Sequence, residues 1–326
     1  MHVFVTGGAG FIGSHLVEHH LAKGDQVHVV DDLSTGSLDN LHSFQGDADF
    51  RFDRADILLW PHLDKVAAWA DRIYHMAAVV GMFRVLKDPI HVLATNVAGT
   101  ERLLRAVRSS GWRPQVLIAS SSEVYGPDGD GLLEETADLH IRSGAVVRWN
   151  YAISKLADEA LALSYVRELD LHITIARLFN TVGPRQAGRY GMVVPRFVRQ
   201  AVRNEPITVY GDGSQSRCFC DVRDTVRALD LLLSNPGSKG KIVNVGNDRE
   251  ITIGGLAELV RSWAESSSKI ETIPYRQAYG EGYEDILHRL PSLARLGELT
   301  DLKHRYTLED TVEHLVALEK EAAVPA

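Results

Sequence analysis

Apolar residues along this chain fall into two alternating patterns, short near-continuous runs and longer stretches with three-to-four spacing. The runs at residues 2–6, 26–31, 49–53, 72–76, 115–120 and 172–177 read as strands, and the stretches between them read as amphipathic helices. Strands alternating with helices predict an α/β fold, a Rossmann-type doubly wound parallel sheet with helices on both faces. Pro61 and Pro89 are placed to open two of the helices, since a proline in a first turn gives up no hydrogen bond. From about Asn180 the rhythm changes, with Gly183-Pro184, a helix pattern at 193–203 and the turn-rich Tyr210-Gly-Asp-Gly-Ser214. A further helix pattern at 222–233 leads to a strand-like 242–245 that returns to the main sheet. The expected division is a sheet domain of residues 1–178 and 217–246 and a smaller, mostly helical lobe of residues 179–216 and 247–326. The acidic, glycine-rich stretch 127–138 reads as a surface loop.

The first strand pattern runs into Gly7-Gly8-Ala9-Gly10-Phe11-Ile12-Gly13 and then into a helix pattern, which is where a dinucleotide pyrophosphate binds in such a sheet. Gly7 permits a tight turn, Gly10 lets backbone approach phosphate, and Gly13 lets helix pack on strand. The free N–H groups of the helix start, around Phe11 and Ile12, supply donors and partial positive charge. The second strand pattern ends at Asp31-Asp32, where a carboxylate accepts hydrogen bonds from an adenosine ribose and repels a 2'-phosphate. The expected cofactor is therefore NAD rather than NADP.

Composition narrows the function classes. Of 326 residues, 45% are hydrophobic and 24% charged, as in an ordinary globular protein, and a formal charge of −8 argues against a nucleic-acid partner. Two cysteines, Cys218 and Cys220, are too few for a metal site and suit a reducing compartment. With no apolar run of membrane-spanning length and no signal-peptide pattern at the first residues, a cytoplasmic location is expected. His19-His20 lacks a partner at metal-ligand spacing, so no metal is expected.

Tyr151-Ala-Ile-Ser-Lys155 opens a helix pattern, and its spacing puts phenol and ammonium on one face. A nearby ammonium, like the positive charge of oxidised nicotinamide, favours the phenolate, so Tyr151 is a candidate base and Lys155 a candidate holder of the cofactor ribose. The strand at 115–120 runs directly into Ser120-Ser-Ser-Glu-Val-Tyr-Gly126 at the carboxyl end of the sheet, where ligands bind. Ser121 or Ser122 would hydrogen-bond a reacting oxygen, and Glu123 would move a proton or orient water; a plain strand-end turn is the bland alternative. Arg185, Arg217 and Arg289 lie in irregular segments and carry guanidinium groups suited to phosphate or carboxylate, which points to an anionic substrate.

Together these segments resemble the extended short-chain dehydrogenase/reductase family that modifies nucleotide-activated sugars, over residues 1 to about 300. Beyond the glycines and the Tyr-x-x-x-Lys dyad, the likeness rests on Asp56-Ile57, His75-Met-Ala-Ala78, Asn96 in Thr-Asn-Val-Ala-Gly-Thr100, Arg177-Leu-Phe-Asn-Thr-Val-Gly-Pro-Arg185 and Val209-Tyr-Gly-Asp-Gly-Ser-Gln-Ser-Arg217. The resemblance implies adenine contact by Asp56 beside Ile57, a cofactor cleft lined by Ala77, Ala78 and Asn96, and a nucleotide diphosphate, usually of uridine, held by Asn180 and Arg217. Arg185, Val194 and Tyr210 join the implied substrate contacts, and a homodimer through helices near 96–107 and 151–167 is implied.

Within the family, Ser-Ser-Glu-Val-Tyr-Gly is similar to the Thr-Ser-Glu-Val-Tyr-Gly of UDP-glucuronate decarboxylases. Arg148-Trp149 and His288-Arg289-Leu-Pro-Ser292 are similar to segments of the same enzymes, so Arg289 maps to an arginine assigned there to catalysis or substrate binding. Ser121 stands where threonine is usual, Leu290 replaces a lysine, and the segment 278–285 is unlike either well-known decarboxylase. The implied reaction is decarboxylation of UDP-glucuronate through a transient 4-keto sugar, giving UDP-xylose with the cofactor recycled. A UDP-sugar 4-epimerase, a 4,6-dehydratase and a non-catalytic NAD-binding sensor or scaffold are the alternatives.

Overall fold

The computed structural model describes residues 1–127, 131–141, 147–188, 192–280 and 288–323. Of the segment 278–285, only 278–280 lie within the described residues. Seven strands form one parallel sheet: β1 (His2–Thr6), β2 (Gln26–Asp31), β3 (Phe50–Arg54), β4 (Arg72–His75), β5 (Gln115–Ser121), β6 (Ile173–Leu178) and β7 (Ile242–Val245). Their order across the sheet is β7-β6-β5-β4-β1-β2-β3, all neighbours parallel. The strands agree with the apolar runs to within a residue or so at each end, because a strand buried on both faces needs apolar residues at successive positions. Between β1 and β4 the chain reverses direction across the sheet, and that switch point opens a crevice at the strands' carboxyl ends.

Helices α1 (Phe11–Ala22), α2 (Leu63–Trp69), α3 (Met82–Lys87), α4 (Pro89–Ser109) and α5 (Asn150–Leu169) follow, then α6 (Val193–Val202), α7 (Val222–Ser234) and α8 (Ile253–Trp263). Pro89 occupies the first turn of α4 and Asp88 caps it through the His91 amide at 3.2 Å. After Pro61 the chain takes one more residue, His62, before α2 begins at Leu63, so Pro61 precedes the helix rather than opening it.

One face of the sheet packs Val3, Val5, Val29 and Leu117 against Leu16 and Val17 of α1 and Leu229 and Leu233 of α7. The other packs Phe4, Ile73 and Ile118 against Leu103 and Val107 of α4 and Ala162 of α5. A separate apolar cluster joins Phe197 of α6, Leu256 of α8 and Val312 of the helix Leu308–Ala323. The stretch 127–138 is not wholly loop: Leu132–Leu133 forms a two-residue strand parallel to Leu290–Pro291, which pins the Arg289 segment beside it. Among the described residues, no helix is long and apolar enough to cross a membrane.

Candidate active site

The glycine turn after β1 is built as its residue types require. Gly7 has φ +71°, a conformation side chains resist, and a Cβ there would lie 2.7 Å from the Ala77 amide nitrogen. A Cβ on Gly13 would lie 2.8 Å from Gly8 Cα, so α1 can approach the turn only with glycine there. Among the described residues no side chain caps the N-terminus of α1, and its first turn carries no acid, which leaves its amides to meet an anion. Asp31 is buried and accepts the Ala9 amide at 3.0 Å and the Leu33 amide at 2.8 Å, so it holds the glycine turn as well as facing the crevice. Burial raises its pKa, with those two amides offsetting part of the effect. Asp32 is exposed and accepts the Ser34 amide.

Gly7, Gly10, Phe11, Ile12, Gly13, Asp31, Asp32, Asp56, Ile57, Ala77, Ala78 and Asn96 all line one cavity of about 660 Å³. Asn96, buried in α4, accepts the Val79 amide at 2.7 Å and donates to Ser154 at 3.1 Å, tying the loop after β4 to α5. The uncapped helix start, the Cβ-free turn and the carboxylate at the end of β2 fit a dinucleotide.

The same cavity is lined on its far side by Ser121, Ser122, Glu123, Tyr151, Lys155 and Arg289. β5 ends at Ser121, whose hydroxyl accepts the Glu123 amide at 3.2 Å and starts the 3₁₀ turn Ser122–Tyr125. Arg289 donates to Glu123 at 3.0 Å and to Ser122 at 3.3 Å, while Arg148 reaches the other Glu123 oxygen at 3.4 Å. Burial alone would raise the pKa of Glu123, but Arg289 and Arg148 outweigh it and hold the carboxyl below its ordinary value. Glu123 is therefore a carboxylate between two buried guanidinium groups.

Tyr151 departs from expectation. Burial pushes its phenol above the ordinary value; Lys155 opposes that only in part, and the charges of Glu123 and Asp158 add to it. Ser121 sits close enough to favour the ionised phenol by hydrogen bonding. Lys155 is 2% exposed and donates to Asp158 at 3.1 Å. Burial would lower its pKa, yet Asp158 and Tyr151 leave it raised, so it is a firmly held cation.

A second cavity, of about 220 Å³, opens from the first and shares Glu123, Arg148, Asn180 and Arg289 with it. Val194, Tyr210 and Arg217 line it with Asn180, whose amide donates to the Cys218 carbonyl at 3.0 Å. Sequence reasoning had not placed Arg196, Tyr275 and Tyr279 here; the Arg196 guanidinium lies 3.7 Å over the Tyr210 ring, and Tyr275 and Tyr279 stack at 6.5 Å. Arg185 sits elsewhere than its fellow arginines. It pairs with Glu18 of α1 and lines only the first cavity, on the side of the glycine turn.

A seven-stranded parallel sheet with an anion-ready glycine turn at its switch point and a Tyr-x-x-x-Lys dyad across the same cavity defines a dinucleotide-dependent enzyme. A family model described as the NAD dependent epimerase/dehydratase family matches residues 3–246, and the chain belongs to that family. NAD is the cofactor of the family, and the crevice fits it. The chain is 34% identical over 313 residues to a UDP-N-acetyl-alpha-D-glucosaminuronate decarboxylase of Bacillus cytotoxicus, covering 96% of this chain and 95% of that one. It is 35% identical over 316 residues to UDP-glucuronic acid decarboxylase 4 of Arabidopsis thaliana, covering 97% and 68%. Among solved structures, a UDP-glucuronic acid 4-epimerase of Bacillus cereus in complex with UDP-glucuronic acid and NAD superposes with a TM-score of 0.88 at 26% identity, over 99% of this chain and 100% of that one.

Proposed function

We propose that this enzyme decarboxylates a UDP-linked uronic acid, UDP-glucuronate or its 2-acetamido counterpart, through a 4-keto intermediate. The observation that carries the reading is the buried guanidinium of Arg289, held by Glu123 and Ser122 where the two cavities meet, a group suited to binding a second carboxylate, the one a uronate would bring. Both decarboxylase relatives support it. NAD, when bound, supplies a hydride acceptor for the carbon of a secondary alcohol.

In this reading Gly7, Gly10, Phe11, Ile12 and Gly13 hold the pyrophosphate of NAD. Asp31 and Asp32 hold its ribose, Asp56 and Ile57 its adenine, and Ala77, Ala78 and Asn96 the remaining wall. Asn180, Val194, Tyr210 and Arg217 hold the nucleotide of the sugar, while Arg185 sits beside the cofactor. Tyr151 takes the proton of the C4 hydroxyl, Ser121 hydrogen-bonds the same oxygen, and Lys155 stabilises the phenolate. Once C4 is a ketone, the C5 carboxylate is β to it. The C5–carboxyl bond breaks, carbon dioxide leaves, and its electron pair passes into the C4–C5 enolate, which Tyr151 and Ser121 stabilise by hydrogen bonding. Ser122 and Arg289 orient the departing carboxylate. Glu123, kept ionised, orients Arg289 and Arg148 and accepts a hydrogen bond from the water that reprotonates C5. The ketone is then reduced again and the pentose product released.

Further parts of the reading are the division into a sheet domain and a smaller lobe, a cytoplasmic location, supported by two buried thiols, and a homodimer. Ile90, 81% exposed, and the half-buried Leu93 and Val97 of α4 support pairing through that helix; light scattering showing only monomer would overturn the dimer. A second reading, 4-epimerisation of the same uronate, is favoured by the likeness to the Bacillus cereus epimerase. Incubation with NAD and UDP-glucuronate, UDP-N-acetylglucosaminuronate or UDP-glucose, followed by NMR, decides between them. Carbon dioxide with a UDP-pentose is expected; UDP-galacturonate without loss of carbon would establish epimerisation instead.

A further inference from the structure

On α5 the phenol of Tyr151, the ammonium of Lys155 and the carboxylate of Asp158 occupy positions i, i+4 and i+7, one face of the helix. An ion pair at i, i+3 on an exposed helix is commonplace and nearly without consequence. This one is not exposed: the side chains of Lys155 and Asp158 are 2% and 0% accessible. The next residue, Glu159, shows what a carboxylate with a structural task looks like here. It accepts Ser120 at 2.6 Å and the Arg177 fork at 2.9 and 2.8 Å, so both oxygens are used. Among the described residues Asp158 has a single hydrogen-bond partner, Lys155, and its Oδ1 has none. A buried carboxylate with an unpaired oxygen costs stability. Its one polar contact among the described residues is with Lys155.

We propose that Asp158 is a positioning residue that sets the working pH of the Tyr151–Lys155 pair, by holding the Lys155 ammonium in a buried ion pair and offsetting its charge. The proposal rests on Tyr151 acting as the base. A lone ammonium one turn from a phenol pulls its pKa down strongly, whereas an ammonium joined to a carboxylate acts as a dipole whose far end opposes it. Seven residues of helix put Asp158 about 10 Å from Tyr151, and at an effective dielectric of about 20 a unit charge at that range moves a pKa by roughly one unit. The other charged groups near the pair have partners of their own. From the turn after β5, Glu123 faces Tyr151 but is covered by Arg289 and Arg148. From β4, His75 faces Lys155; burial pushes it down to about 3, so it stays neutral. Glu159 is taken by Arg177, and α4 contributes the uncharged Asn96, bonded to Ser154, and Thr100, bonded to His75. Among the described residues Asp158 is thus the one charge on this face whose only hydrogen-bond partner is the lysine.

Replacing Asp158 by Asn keeps size and an acceptor oxygen but removes the charge. Without it the phenolate is less repelled and the ammonium less supported, so both pKa values fall. The bell of kcat/KM against pH should move as a whole toward lower pH by about one unit, and D158E should return it. A structural role predicts something different, a uniform loss of activity and melting temperature with both limbs in place, and that result would overturn the proposal. A second measurement needs neither cofactor nor turnover. In protein labelled with [ζ-13C]tyrosine, the Tyr151 resonance, identified by its loss in Y151F, should begin its phenolate shift at lower pH in D158N than in wild type; an unchanged onset refutes the assignment. Should D158N fail to fold, D158S carries the same expectation. Wild-type protein that turns over no uronate would defeat the catalytic reading, while the NMR titration would still decide on Asp158.

Discussion

Replacing Arg289 by methionine tests the carboxylate reading most directly, because length and apolar stem are kept and only the guanidinium is lost. Arg289 is 5% exposed and gives Glu123 its shorter ion pair, 3.0 Å against 3.4 Å from Arg148. In R289M Glu123 loses its shorter ion pair, and a uronate carboxylate loses the guanidinium that would face it. A hydrogen bond to a charged group contributes about 1.5–3 kcal/mol, and removing one partner of a buried ion pair costs about 3–5 kcal/mol. Taking about 2–4 kcal/mol as the part felt by the bound uronate, kcat/KM should fall by roughly 30- to 1000-fold. The assay is carbon dioxide release from the UDP-uronate, with calorimetric binding of UDP-glucose, which has no carboxylate, as the internal control. UDP-glucose affinity should change by less than about threefold, since electrostatic losses follow the missing charge. Equal losses for UDP-glucose and the uronate would refute the reasoning and assign Arg289 to the diphosphate or to the fold.

Other consequences can be checked independently. Y151F should lower turnover by about 10²- to 10⁴-fold with NAD affinity unchanged by calorimetry; retained turnover would remove Tyr151 as the base. G13A should weaken NAD binding by more than about tenfold, because its Cβ would press on Gly8 Cα and Gly7 C at 2.8 and 2.9 Å and open the turn. Burial pushes His15 and His20 down to about 4, whereas unfolded histidine takes its proton near 6.5. The unfolded state therefore binds more protons between those values, and stability falls as pH drops through that window, by as much as about 3 kcal/mol for His20. Urea denaturation at pH 7.5 and 5 would show it, and equal stabilities would contradict it.

Much of this protein could be read from short stretches of chain. Runs such as Val3-Phe4-Val5 are apolar at successive positions because both faces of a parallel strand are covered, and a glycine turn binding an anion needs its glycines at fixed places. Tyr151 and Lys155 share a face because a helix has 3.6 residues per turn. Each of these follows from bonding between near neighbours, so composition and spacing suffice.

What the tertiary structure alone decided is electrostatic. Arg289 meets Glu123 across 166 residues because Leu290–Pro291 pairs with Leu132–Leu133, and nothing local marks that register. Arg185 resembled its fellow arginines in sequence, yet the chain carries it to Glu18 on α1 rather than into the second cavity. The ammonium of Lys155 was expected to lower the pKa of Tyr151, but burial outweighs it, and the charges of Glu123 and Asp158 push the same way as burial. Spacing tells which side chains share a face; how strongly their charges act depends on how much water the rest of the fold removes and on which distant partner arrives first.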